Sequence, residues 1–134
     1  MQLRKLVKNT LHMSLGATKA KNRVLDAMKN NRAISESDID KASKLNYSQL
    51  FDASTNKIYF SLLEGIILEN LSLFSNIFES FDERTIKKNL TAINLARRCP
   101  DHSFTEDAEN WSWDNFKRFR EGMDWLENIL KAFE

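Results

Sequence analysis

Two side chains near residue 100, Arg97 and His102, are of the types that handle phosphate groups. An arginine keeps its positive charge at any physiological pH and can hold two phosphate oxygens at once. A histidine can take up or release a proton near neutral pH, because its unperturbed pKa lies there. The two residues therefore form a candidate site for phosphate chemistry.

The stretch before this pair is predicted to be a helix that ends close to it. Its apolar residues are spaced by four and three positions, which puts them on one helix face: Ile86, Leu90 and Ile93. The next step of four reaches Arg97, and Asn94 lies three residues earlier, where its amide could orient the guanidinium. Pro100 disfavours helical geometry at the residue before it, so we expect the helix to stop at Cys99 and His102 to lie in the following loop.

The composition indicates an all-α protein. The chain of 134 residues fits one domain, and three glycines with one proline are too few turn residues for many short strands. We predict a single antiparallel helical bundle over residues 1–134, with a basic segment at 1–33 and core helices over 56–134. About five helices are expected, over residues 3–30, 35–45, 56–78, 83–98 and 112–133.

Several classes of protein and site are disfavoured. The lone Cys99 cannot form an internal disulfide. One cysteine and two histidines 90 residues apart also supply few ligands for a zinc site. We therefore predict no metal and no cofactor. No apolar run approaches the roughly 18 to 20 residues of a membrane span, so we expect a cytoplasmic protein without membrane contact.

Charge is distributed unevenly along the chain. Residues 1–33 carry eight Lys or Arg and one acidic residue, which gives +7, whereas residues 34–134 carry 12 basic and 18 acidic residues, which gives −6. A basic first third is compatible with nucleic-acid binding, because Lys and Arg displace counterions from phosphates. The alternative is that it packs on the acidic remainder of its own chain or of a second copy.

The most apolar part of the sequence, residues 58–78, is predicted to be a central helix. Its apolar residues cover more than one stripe, which is typical of a helix inside a bundle or in an oligomer interface. Gly65 in its middle indicates a close helix crossing. Because this apolar surface exceeds what one small bundle needs, we predict a homodimer.

The final helix and its tryptophans are expected to pack in the core. Its apolar positions alternate by three and four residues: Phe116, Phe119, Met123, Leu126, Leu130 and Phe133. Trp111, Trp113 and Trp125 are interpreted as packing and cap anchors.

Residues 23–53 offer a second interpretation, a helix-turn-helix DNA-binding regulator. A short helix begins after Ser35, a turn follows at Leu45 and Asn46, and a recognition helix would contain Ser48 and Gln49. The recognition helix would carry little positive charge, and the turn contains no glycine, which such motifs often have. A non-enzymatic helical subunit that binds another protein is the other alternative.

The arginine, four intervening residues and histidine, Arg97-Arg98-Cys99-Pro100-Asp101-His102, followed by a long final helix, resemble the HEPN superfamily of small all-α proteins. The resemblance extends from about residue 58 onward. It implies a metal-independent endoribonuclease or RNA-binding protein, found in toxin–antitoxin or phage-defence systems and acting as a homodimer, with an antitoxin or other protein as partner.

The resemblance also implies roles for individual residues. Arg97 would stabilise the charge that develops on the phosphate, and His102 would act as general base or acid. Arg98 would supply a second phosphate contact beside Asn94. The predicted catalytic residues are therefore Arg97 and His102, and the predicted substrate-binding residues are Arg98 and Asn94.

Overall fold

The computed structural model describes residues 2–52, 58–78, 80–98 and 113–133, with the backbone alone of 96–98. Every regular element in these ranges is helical and none is a strand, which confirms the all-α prediction. The elements are α1 (Leu3–Lys29), α2 (Glu36–Ser43), α3 (Tyr47–Leu50), α4 (Phe60–Glu69), a 3₁₀ helix (Leu71–Phe74), α5 (Glu83–Arg98) and α6 (Trp113–Lys131). The chain forms two compact units, Met1–Asn76 (unit 1) and Ile77–Glu134 (unit 2), and each is described by itself.

Helix α1 is broken at Gly16, where the sequence indicates an interruption. Gly16 has φ 78° and ψ 167°, a backbone conformation that is essentially confined to glycine. The apolar residues before and after the break are buried: Leu3, Leu6, Val7, Leu11, Ala20, Val24, Ala27 and Met28. The single sequence stripe thus becomes two helical segments that both face the core of unit 1.

Helices α2 and α3 begin at side-chain caps. The Ser35 hydroxyl accepts a hydrogen bond from the Asp38 backbone N–H at 3.2 Å, which confirms the predicted start of α2. At α3, the Asn46 side chain accepts from the Gln49 backbone N–H, and the Gln49 side chain accepts from the Asn46 backbone N–H, both at 2.9 Å. Such reciprocal bonds satisfy two amides that a helix start leaves without partners.

The prediction of one helix over residues 56–78 is wrong for its second half. Helix α4 ends at Glu69, and Asn70 leaves helical geometry with φ −130° and ψ 35° before the 3₁₀ helix begins. The Asn70 side chain is 4% exposed; it donates to the Ile66 carbonyl at 2.8 Å and accepts from Arg23 at 2.7 Å. Asparagine side chains compete with the backbone for such bonds, which favours helix ends over helix interiors. Residues 53–57 lie outside the described ranges.

The apolar surface of this segment is largely covered within the chain. Six of its apolar residues in unit 1 are buried: Ile58, Leu62, Leu63, Ile66, Ile67 and Phe74. The surplus of apolar area from which the homodimer was inferred is therefore much smaller than the sequence indicates. The homodimer itself stays a prediction.

Three of the eight cations in residues 1–33 donate hydrogen bonds inside unit 1. Arg4 reaches the Ile58 carbonyl at 3.5 Å, Lys21 reaches the Ser43 carbonyl at 2.6 Å, and Arg23 reaches Asn70. Within the described ranges, no ion pair joins any of the eight to an acidic side chain. These three cations hold carbonyl and amide oxygens of their own unit, in place of the acidic partners that the sequence indicates.

Unit 2 is built around the packing of α5 against α6. Gly122 of α6 lies against Asn89 and Ile93 of α5, whereas Trp125 stacks on Phe78 at a ring distance of 5.7 Å. From Gly122 to Trp125, the contacted residues move back along the chain from Asn89 and Ile93 to Phe78. The two helices therefore run antiparallel, as predicted. The close crossing expected at Gly65 is wrong: an added Cβ there would meet only its own helix's Glu69 carboxylate oxygen, at 3.6 Å.

The buried face of α6 differs from the predicted stripe. Gly122, Leu126 and Ile129 are buried, whereas Phe116 and Phe133, at the two ends of the stripe, are 48% and 37% exposed. The small Gly122 lets α5 approach that side of α6, so the contact face rotates towards it. Trp125 packs as predicted, but Trp113 is 80% exposed and is not a packing anchor. Trp111 and Ser112 lie outside the described residues.

Candidate functional site

Helix α5 carries the two predicted site arginines at its C-terminal end. Asp82 caps its start by accepting a hydrogen bond from the Thr85 backbone N–H at 2.8 Å, as the sequence predicts. The bonds from Thr85 hold the pKa of the Asp82 carboxyl below its ordinary value, with a smaller contribution from the Arg84 charge. The helix is described as far as Arg98, and its predicted stop at Cys99, before Pro100, lies outside the described residues.

The register of α5 separates the two arginines. The predicted stripe is buried, at 3% exposure or less: Ile86, Leu90 and Ile93. Arg97 continues this stripe by a step of four, whereas Arg98, one position later, is rotated by about 100° to another face. Asn94 is half-buried one turn before them. His102 lies outside the described residues, so the pairing of Arg97 with His102 stays a prediction.

A groove of about 480 Å³ runs between α5 and α6, and four of the ten described residues that line it are basic. We call it the basic groove and define it by its four cations, three from α5 and one from α6: Arg84, Lys87, Lys88 and Arg118. Glu121 is the one acidic residue among the described residues that line it. Asn89, Thr91 and Asn115 add polar groups, and Ala92 and Leu95 add apolar surface. The excess of positive charge suits an anionic ligand.

The cations of the basic groove are exposed and have no anionic partner at ion-pair distance. Within the described ranges, no salt bridge involves Arg84, Lys87, Lys88 or Arg118. The nearest acidic positions by sequence are Asp82 and Glu83, at the start of α5, and Glu121, one turn after Arg118 in α6. Four cations gathered along one groove raise the local positive potential, which attracts polyanions.

The close packing at Gly122 brings the two sides of the basic groove together. An added Cβ at this position would lie 3.0 Å from the Asn89 carbonyl oxygen and 3.2 Å from Ile93 Cγ1. A side chain at this position would require Ile93 and the α5 backbone to move away by a few tenths of an ångström. Arg118, one turn earlier in α6, is thereby placed on the same groove as the cations of α5.

The basic groove and one predicted site residue share a stripe of α5. Arg84, Lys88, Thr91 and Leu95 follow steps of four, three and four, and the next step of three reaches Arg98. By helical register, Arg98 therefore continues the groove-lining positions. Sequence reasoning missed this groove. The spacing of Arg84, Lys87 and Lys88 gives one side of it, but no sequence pattern reveals that Arg118 completes it.

The described residues were also compared with what a metal site and a membrane span require. Among them, no three His, Cys, Asp or Glu side chains cluster as metal ligands would. In the same ranges, no helix has the length and apolar content needed to cross a bilayer. The basic groove is thus the feature of unit 2 that is best suited to a charged ligand.

Within residues 23–53, the segment predicted as a possible helix-turn-helix, α3 does not resemble a DNA recognition helix. Helix α3 has four residues, of which Tyr47 and Leu50 are buried. The Gln49 side chain is held in the capping bonds with Asn46. Only Ser48 would be left to contact a base, so this geometry does not favour DNA binding by α3.

No known protein family, curated protein or solved structure matches the chain. The resemblance to the HEPN superfamily thus rests on the Arg97 to His102 motif and on its place before the final helix. It stays a prediction.

Proposed function

We propose that this chain is a HEPN-like RNA-binding protein that cleaves RNA without a metal ion, as part of a toxin–antitoxin or phage-defence system. The observation that carries the proposal is the charge of α5, which has five cations and one acidic residue among its 16 residues. Its last two cations are Arg97 and Arg98 of the motif, and three others line the basic groove. A helix of this charge suits a ribose-phosphate chain.

The reaction would use the 2′-hydroxyl of the RNA as the nucleophile. His102, acting as general base, removes the 2′-hydroxyl proton, and the 2′-oxygen attacks the adjacent phosphorus. The bond from phosphorus to the 5′-oxygen then breaks, and that oxygen takes up a proton from solvent. Arg97 stabilises the extra negative charge on the non-bridging phosphate oxygens. The products are a 2′,3′-cyclic phosphate and a 5′-hydroxyl.

The test is cleavage of end-labelled RNA by the purified full chain in the presence of EDTA. Wild type should cut the RNA and leave cyclic phosphate ends, whereas Arg97→Ala and His102→Ala should not. The matched controls are Arg32→Ala and His12→Ala, because both residues are exposed, lie in unit 1 and are outside the motif. Intact RNA with folded wild type, or equal loss of cleavage in the controls, would refute the assignment.

The proposal includes a homodimer, which a HEPN-like enzyme would use to bring two motifs together. Its support in the structure is the exposed aromatic surface of α6, which includes Trp113 at 80%, Phe116 at 48% and Phe133, near the helix end, at 37%. Exposed aromatic side chains are common in protein interfaces. The same surface supports the alternative of a non-enzymatic interaction subunit, which would show no RNA cleavage in the assay above. Sedimentation of the full chain measures the oligomeric state.

A further inference from the structure

We propose that the basic groove is a binding site for the phosphodiester backbone of the RNA strand, separate from the cleavage motif. The inference rests on the proposed function, since that function selects RNA as the polyanion. It adds residues that the motif does not include, and they come from two helices, with Arg118 of α6 lying 30 positions after Lys88 of α5: Arg84, Lys87, Lys88 and Arg118.

The first support is the balance of charge. Among the described residues, the groove has four cations against one carboxylate, that of Glu121, and no ion pair neutralises any of the four. Unpaired Lys and Arg side chains can neutralise phosphates and release the counterions condensed on the nucleic acid. An anionic ligand with several charges uses all four cations, whereas a single phosphate would use only one or two.

The second support is the shape of the charged surface. At about 1.5 Å of rise per residue, the stripe from Arg84 to Arg98 extends for roughly 21 Å along α5. A ligand that follows this stripe must carry negative charge at intervals along its length, as a nucleic-acid strand does. The same stripe ends at Arg98, which belongs to the predicted motif, so a strand that follows the stripe reaches the C-terminal end of α5.

The third support is the kind of side chain present. Lysine and arginine contacts to phosphate fix the position of a strand without reading its bases. Apart from Leu95 and Ala92, the lining residues that the structure describes are polar or charged, and none of these is aromatic. The groove is therefore expected to bind RNA of any sequence and to leave the choice of cleavage site to other contacts.

The experiment compares two double charge reversals in the full chain. Lys87→Glu with Lys88→Glu reverses two groove cations, and Lys117→Glu with Arg120→Glu reverses two exposed cations of α6 that do not line the groove. The change in net charge is identical. All variants carry Arg97→Ala so that the RNA stays intact, and circular dichroism checks that each one folds. The probe is a fluorescent single-stranded RNA of mixed sequence, with single-stranded DNA of the same sequence as a second arm.

The groove reversal should weaken RNA binding by about tenfold at physiological salt and reduce the slope of log K against log salt by about 1.4, as the loss of two phosphate contacts requires. The control reversal should change affinity much less. Glu121→Gln should tighten binding by a few-fold, because it removes a carboxylate from the groove and with it a repulsion of the phosphates. A purely structural role for these residues would not produce that gain.

Equal weakening by the groove and control reversals would overturn the groove assignment, as would unchanged binding in the groove variant. If the groove reversal disrupts folding, Lys87→Gln with Lys88→Gln replaces it, and unchanged binding by that variant would equally overturn the assignment. RNA would be overturned as the ligand if the chain binds the DNA more tightly than the RNA and the groove reversal weakens this DNA binding. Failure of the proposed cleavage is seen separately, as intact RNA with wild type, and leaves these binding results interpretable.

Discussion

Gly122 of α6 lies so close to Asn89 of α5 that an added Cβ would be 3.0 Å from the Asn89 carbonyl oxygen. Asn89 also lines the basic groove. The contact therefore fixes how near α6 brings Arg118 to the cations of α5. A single glycine thus connects the packing of unit 2 with the proposed binding surface.

Replacement of this glycine should be costly. Gly122→Ala places a methyl group against a backbone oxygen and Ile93, so α5 and α6 must separate slightly. Overpacking of this kind costs about 1 to 3 kcal/mol, of which the better helix propensity of alanine returns up to about 1 kcal/mol. We expect a net loss of about 1 to 2 kcal/mol in the free energy of unfolding, measured by chemical denaturation.

Gly65→Ala is the matched control, since it makes the same change inside α4. Its Cβ would meet only the Glu69 carboxylate oxygen at 3.6 Å, which is an ordinary contact. We expect no loss of stability and a gain of up to about 1 kcal/mol. Equal losses at both glycines would show that Gly122 has no special packing role.

The Asn70 side chain should be needed to end α4 correctly. Asn70→Ala removes the hydrogen bonds to the Ile66 carbonyl and from Arg23 in a buried setting. Loss of partners for buried polar groups costs about 1 to 3 kcal/mol. The exposed Asn76→Ala should stay within about 0.5 kcal/mol of wild type. Urea denaturation of the two variants measures the difference, and similar values for both would contradict the role of Asn70.

Tyr47 should make the chain sensitive to alkaline pH. Its hydroxyl donates to the Lys8 carbonyl at 2.6 Å, and burial raises its pKa well above the ordinary value of 10.0. A raised pKa means that the folded state favours the protonated form. This stabilisation is complete below pH 10 and is lost as the pH rises through the folded pKa. We therefore expect the unfolding free energy to fall above pH 10, and Tyr47→Phe to remove most of that slope.

The measurement can be made on Tyr47 alone, because the chain has only two tyrosines. In Tyr59→Phe, the appearance of tyrosinate absorbance on alkaline titration reports Tyr47 only. It should appear together with unfolding, as followed by circular dichroism. Tyrosinate absorbance that appears near pH 10 while the chain stays folded would contradict the burial of this hydroxyl.

Asp82 should stabilise α5 only while it is ionised. Its pKa is lowered from 3.8 by the hydrogen bonds from Thr85, so the folded state favours the carboxylate. The contribution is present above pH 3.8 and disappears as the pH falls through the lowered pKa. We expect Asp82→Ala to lower the thermal midpoint at neutral pH, and the difference from wild type to vanish in acid. Asp82→Asn, which keeps an acceptor but cannot ionise, should lower the thermal midpoint less than Asp82→Ala at neutral pH, and its difference from wild type should also shrink in acid.

Local features of the fold were predictable because neighbours in the sequence decide them. The caps at Ser35 and Asp82 and the break at Gly16 each depend on a few adjacent residues. The break of the central apolar run at Asn70 was missed, because the Arg23 side chain that bonds to Asn70 lies 47 positions away. The face of α6 was shifted for a similar reason, since the contact at Gly122 depends on α5.

The site was predictable only in part. The sequence places Arg97 on the buried stripe and Arg98 beside it, and α5 has the length and register that this requires. The basic groove also needs Arg118 of α6, which lies 20 residues further along the chain than Arg98. Its place beside Lys87 and Lys88 follows from antiparallel packing, which periodicity alone does not specify.

The most direct test of the proposed function is growth of a bacterial host after induction of wild type, Arg97→Ala and His102→Ala, with total RNA analysed on a gel. His12→Ala is the control, because the chain has only two histidines and His12 is exposed in α1. The proposal predicts growth arrest and RNA fragments with wild type and His12→Ala, and normal growth with intact RNA in the other two. Normal growth and intact RNA in all four strains, with soluble protein confirmed, would contradict it.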